Sequence, residues 1–152
     1  MIELLKKDVN EFFDGLKSVP KDEFQLEVLS LFPIACCEYS SMLLARFLIE
    51  KRNYNPFQIL MLTGQCKLKH EQLHLWLKID DVTVDITVGQ FKDAPQQIIL
   101  TRDSKWHRRF KVINRCFPDI DFECYRGDFN EPALENDYVR ILEKINLLEM
   151  QL

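Results

Sequence analysis

The sequence predicts an α+β domain, and three features of its patterning carry that expectation. Apolar residues recur at helical spacing toward both ends, they alternate strictly through the middle, and the two periods occupy separate stretches of chain. With 152 residues, no internal repeat and no Gly/Ser linker, the chain is expected to form one domain, 1–152.

Ile2, Leu5, Val9, Phe12, Phe13 and Leu16 predict a first helix. It stops at Ser18-Val19-Pro20, because proline cannot continue a helix. Phe24, Leu26, Val28, Leu29 and Leu31 suggest a second helix up to Phe32-Pro33. A third is expected from near Cys36–Cys37 to about Lys51, with Leu43, Leu44, Phe47 and Leu48 as its apolar stripe. Gln58-Ile59-Leu60-Met61-Leu62, ending at Thr63-Gly64, suits a short strand. Residues 92–130 carry no clear period and admit either a helix around 103–115 or an irregular loop. From Ala133 to Leu148 the helical spacing returns through Leu134, Tyr138, Ile141, Leu142 and Ile145.

The most informative stretch is 73–88. Leu73, Leu75, Leu77 and Ile79 alternate with polar or aromatic residues, and Val82, Val84, Ile86 and Val88 do the same after Asp80-Asp81. Two strands joined at that Asp pair explain the pattern. Partners then face as Ile79 with Val82, Leu77 with Val84 and Leu75 with Ile86, which puts every apolar residue on one side. His74, Trp76 and Asp85 share the opposite side, where His74 and Asp85 are diagonal neighbours roughly 7–8 Å apart in backbone position. A carboxylate beside an imidazole fixes its tautomer and frees the second ring nitrogen for a nucleophile. On an ordinary half-exposed sheet the same residues would simply meet water.

Composition narrows the function classes. The content is 47% hydrophobic and 29% charged with only 4 Gly and 6 Pro, which excludes disordered and collagen-like chains. Lys plus Arg total 20 against 24 Asp plus Glu, so a broad footprint for nucleic acid is not expected. No apolar run approaches the ~20 residues of a membrane helix, and Met1 to Asp8 lack the pattern of a secretory leader. Five cysteines without a C-x-x-C pair fit free thiols in a reducing compartment, hence a cytoplasmic location. His70 and His107 have no partner at zinc spacing, so no metal site is expected, and no phosphate-binding glycine loop occurs.

Cys36 and Cys37 sit where the third helix should begin. A thiol in the first turn of a helix meets the positive end of the macrodipole and free N–H groups, which favour a thiolate and can stabilise an oxyanion. Cys66, Cys116 and Cys124 read as small apolar fillers. Gln65 and Gln72 are candidates for an oxyanion-stabilising amide, and Trp76 for one wall of an acyl-substrate groove or a platform over Asp85. Lys105-Trp106-His107-Arg108-Arg109 is the one dense basic cluster, suited to an acidic partner, a phosphate or a solvated surface.

Phe32-Pro33-x-x-Cys36-Cys37-x-x-Ser40-Ser41-x-Leu43-Leu44, then His74-x-Trp76, then Asp85-Ile86-Thr87-x-x-Gln90-Phe91, resembles a group of small bacterial transglutaminase-like (papain-like) proteins. The likeness covers residues 32–91. It implies a papain-like core in which a nucleophile-bearing helix packs on a central antiparallel sheet. It further implies Cys37 as nucleophile, His74 as general base and Asp85 as the orienting carboxylate, with Cys36 the alternative nucleophile. Where that group often carries Gly-Asp after the nucleophile, this chain has Glu38-Tyr39.

The expected function is therefore cysteine-dependent acyl transfer on an amide or ester, with no cofactor and with a protein or peptide as substrate. The alternative is a catalytically inactive member of the fold acting as a binding or immunity-type protein.

Overall fold

The computed structural model describes residues 2–151. Three helices, α1 (Ile2–Ser18), α2 (Cys37–Arg52) and α3 (Asn130–Met150), accompany a five-stranded antiparallel sheet. Its strands are β1 (Ile59–Cys66), β2 (Leu73–Ile79), β3 (Val82–Asp85), β4 (Ile99–Thr101) and β5 (Phe110–Cys116), in the spatial order β4-β3-β2-β1-β5. The α+β class expected from the sequence is the one observed.

The β2–β3 hairpin has the register that alternation requires: Ile79 faces Val82, Lys78 faces Thr83 and Leu77 faces Val84. Asp80 turns the chain at φ 54°, a left-handed conformation that a short acidic side chain tolerates. Leu77, Ile79, Val82 and Val84 bury against the helices, where Phe12, Leu43, Phe47 and Ile141 complete the main core. Arg52, at the end of α2, reaches Asp8 and Glu11 of α1 and Glu149 of α3, so one guanidinium ties the three helices together.

Three expectations need correction. The stretch 24–31 is not a helix but part of a run of short 3-10 turns, Lys21–Glu23 and Glu27–Leu31. The carboxylate of Asp137 on α3 accepts from the backbone N–H groups of Gln25 and Leu26 at 2.7 and 2.9 Å, and this long-range grip holds the chain in another path. The second hairpin strand stops at Asp85 rather than 88. There the Asp85 Oδ1 accepts from Thr87 N–H at 3.0 Å, an Asx turn that bends the chain out of the ladder. Residues 103–115 are neither a helix nor a plain loop: a 3-10 turn, Trp106–Arg109, leads into β5, which pairs with β1.

That last correction changes the environment of the hairpin's polar side. Trp106 and Phe110, with Phe91, Leu62, Cys66 and Trp76, build a second apolar cluster on the sheet face away from the helices. His74 and Asp85 are consequently 0% and 1% exposed, where a half-exposed sheet would have left them in water. Gly64, opposite His74 on β1, makes the close approach feasible. A Cβ there would stand 2.6 Å from the Trp76 ring and 2.7 Å from Phe110 Cβ.

Gly64→Ala is therefore expected to destabilise the fold by about 1–3 kcal/mol through overpacking, read as a lower urea midpoint. An unchanged midpoint would mean that the aromatic layer is loose.

Candidate functional site

The site is organised around one buried carboxylate. Asp85, the last residue of β3, accepts on Oδ2 from two rings at once: His74 Nε2 at 2.7 Å and His107 Nε2 at 2.7 Å. Its Oδ1 takes the backbone N–H of Thr87 at 3.0 Å and the Thr87 hydroxyl at 3.3 Å. Burial works to raise this carboxyl, yet the hydrogen bonds and charges of His107 and His74 hold it well below the usual carboxylate range. An ionised carboxylate can only accept, so both imidazoles carry hydrogen on Nε2.

His74, on β2, therefore presents Nδ1 as its second working atom. Nδ1 is buried and makes no hydrogen bond. The Cys37 thiol is close enough to act on the ring's charge. Burial disfavours the imidazolium, but the Asp85 carboxylate and Cys37 outweigh it and raise His74 from 6.5 to about 9. At neutral pH the ring thus holds a second proton at Nδ1, on the side of the thiol. Phe91 stands edge-on to the ring at 5.0 Å between centroids and Trp106 at 6.2 Å, shielding it from solvent.

The two cysteines differ sharply. Cys36 is the residue preceding α2 and is buried, and its thiol is pushed up to about 12 by desolvation, against the hydrogen bond from Ser40. Cys37 is the first residue of α2 and is half-buried, so it alone of the pair meets solvent. Ala35, at φ 62°, turns the chain sharply just before the helix. The next residues of that first turn are held sideways: Tyr39 packs on Tyr125 at 5.7 Å between centroids, and the Tyr125 hydroxyl donates to Glu38 at 3.4 Å.

Sequence reasoning set His74 and Asp85 together and the structure joins them. It missed His107. That residue looked isolated because its partner is 22 residues away and no spacing rule connects them. Its membership of the basic cluster misled as well, since His107 is 7% exposed and faces inward, with Nδ1 on the Ser104 hydroxyl. Of the two roles expected for Trp76, its burial fits the platform and not the groove wall. It is 3% exposed, with its ring tilted against that of His107 at 4.6 Å between centroids, and so packs over the polar cluster rather than forming a groove wall open to substrate. Gln65 donates its amide to the His70 carbonyl at 2.8 Å. Gln72 lines a groove shared with Cys66 and Phe91.

The expectation of no metal-type cluster also needs revision. One nitrogen from each of His74 and His107 and a carboxylate oxygen of Asp85 lie within 4.8 Å of one another. Two imidazoles and a carboxylate are a donor set suited to divalent zinc or iron. The ring hydrogens on Nε2 would have to leave for an ion to enter, so ion binding and the present hydrogen bonds are mutually exclusive.

No protein-family model matches this chain, and no curated protein or solved structure matches it.

Linkage gives the cluster a pH signature. His74's folded value lies above its ordinary 6.5, so its stabilisation is full below about pH 6.5 and is lost as pH rises through about 9. Asp85's value is depressed, so its contribution is present above about pH 4 and is lost on acidification. Urea titrations should show stability falling between pH 6.5 and 9 in the wild type, with a shallower slope in His74→Gln. An equal slope in both would detach the effect from this ring. His107→Ala removes one donor from Asp85 and is expected to cost about 1–3 kcal/mol and to move acid unfolding to higher pH.

Proposed function

We propose that the chain is a cysteine-dependent acyl-transfer enzyme on a transglutaminase-like, papain-like core, with Cys37 as nucleophile, His74 as proton carrier and Asp85 as the anchor of the ring. The observation that carries this reading is the division of labour on His74: Nε2 is fixed on Asp85, while buried Nδ1 has no hydrogen bond and faces the half-buried Cys37.

The chemistry follows from that division. The Cys37 sulfur, as thiolate beside the imidazolium, attacks the carbonyl carbon of an amide or ester, and the carbonyl π pair moves onto oxygen. N–H groups of the first turn of α2, which have no partner within the helix, are available to that oxyanion. The oxyanion collapses, the bond to the leaving amine or alcohol breaks, and His74 Nδ1–H supplies the leaving group's proton. A thioester remains on Cys37. Water or an amine then attacks it, His74 takes up the proton, and the sulfur leaves as thiolate. Asp85 keeps the ring oriented and offsets its charge throughout, without itself being protonated. His107 holds the same carboxylate oxygen from the other side and is a positioning residue.

A second reading rests on the convergence of His74, Asp85 and His107 within 4.8 Å. There the cluster holds a divalent ion and Cys37 is a bystander.

Iodoacetamide labelling mapped by mass spectrometry separates the two. Acyl transfer requires Cys37 to label fastest at pH 7, at least about tenfold faster than in His74→Ala, with Cys36→Ser unchanged. Uniform labelling of the five thiols, or indifference of Cys37 to His74→Ala, would sink this reading. The metal reading requires stoichiometric zinc after incubation and dialysis, lost in His107→Ala and retained in Cys37→Ser.

A further inference from the structure

A groove of about 600 Å³ lies on the outer side of the aromatic cover over His74. Phe91 and Trp106 belong to both: they line the groove and they stand edge-on to the His74 ring at 5.0 and 6.2 Å. The rest of the lining is strongly cationic, with Lys67, Lys69, Lys92, Lys105 and Arg109 against a single carboxylate, Asp93. That carboxylate is already taken by Arg109 at 2.6 Å, and the Arg109 guanidinium stacks on Trp106 at 4.1 Å from the ring centroid. Among the described residues no ion pair engages the four lysines, all of which are exposed. In a chain whose formal charge is -4, four unpaired lysines around one groove are a local reversal of sign.

We propose that this groove binds an acidic segment, a run of Glu or Asp side chains, of a peptide or protein substrate, next to the site where its amide is processed. The substrate assignment rests on the acyl-transfer reading; binding of the acidic segment does not. The lysines surround the groove as separate point charges, which suits carboxylates spaced along an extended peptide. Phe91, Trp106 and the exposed Leu68 offer apolar surface to the methylene stems of glutamate.

The test uses fluorescein-labelled hexaglutamate and hexaglutamine peptides with the full chain, read by anisotropy. Hexaglutamate should bind, more tightly at low salt, and hexaglutamine should not. Lys69→Gln, Lys92→Gln and Lys105→Gln combined should weaken hexaglutamate binding by about tenfold while leaving the circular dichroism spectrum and Cys37 labelling unchanged. Cys37→Ser should bind as the wild type does. Equal binding of the two peptides, no effect of the triple variant, or tighter binding of an oligothymidylate than of hexaglutamate would each overturn the proposal. Groove binding without thiol reactivity would leave the groove standing and remove only the catalytic reading. Thiol reactivity without groove binding would do the reverse.

Discussion

A carboxylate withdrawn from water governs the architecture around it. Asp85 is ionised and 1% exposed, a state that costs several kcal/mol unless donors replace the lost hydration. Four do so: two imidazole N–H groups on Oδ2, and a backbone N–H and a hydroxyl on Oδ1. The three residues that supply them fix different parts of the chain. His74 ties β2, Thr87 ends the hairpin with a turn, and His107 pulls the 3-10 turn before β5 over the sheet.

The aromatic cover and the polar cluster depend on one another. Phe91, Trp106 and Phe110 exclude water, and exclusion strengthens the attraction between Asp85 and the rings it holds. In turn, the His107–Asp85 bond anchors the segment that carries Trp106. The absence of a side chain at Gly64 leaves room for the Trp76 ring and the Phe110 Cβ against β1. The sheet thus has two dissimilar cores: a large aliphatic one under the helices, and a small aromatic one enclosing charge.

At the start of α2, burial and exposure separate two adjacent residues of identical chemistry. Cys36 is enclosed, with its thiol held high by desolvation, whereas Cys37 opens to solvent beside the unpaired nitrogen of His74. The proposed acyl transfer draws on that difference, and the proposed acidic-segment groove lies just beyond the rings that shield His74. Glu38 and Tyr39, which stand out in the sequence beside the thiol, are drawn toward Tyr125.

The hairpin was legible in the sequence because a period of two leaves only one register that buries the apolar side, and Asp80-Asp81 marks the turn. The pairing of His74 with Asp85 followed from that register. The helices α1, α2 and α3 were legible from apolar spacing, and Pro20 fixed the end of the first. What tertiary structure decided came from contacts between residues distant in sequence. Asp137 captured Gln25 and Leu26 and kept 24–31 from becoming a helix, over a separation of more than 100 residues. His107 reached Asp85 only because β5 pairs with β1 and swings its preceding turn across the sheet. Local periodicity records which side of an element is apolar, whereas which polar group meets which across the fold depends on the path of the whole chain.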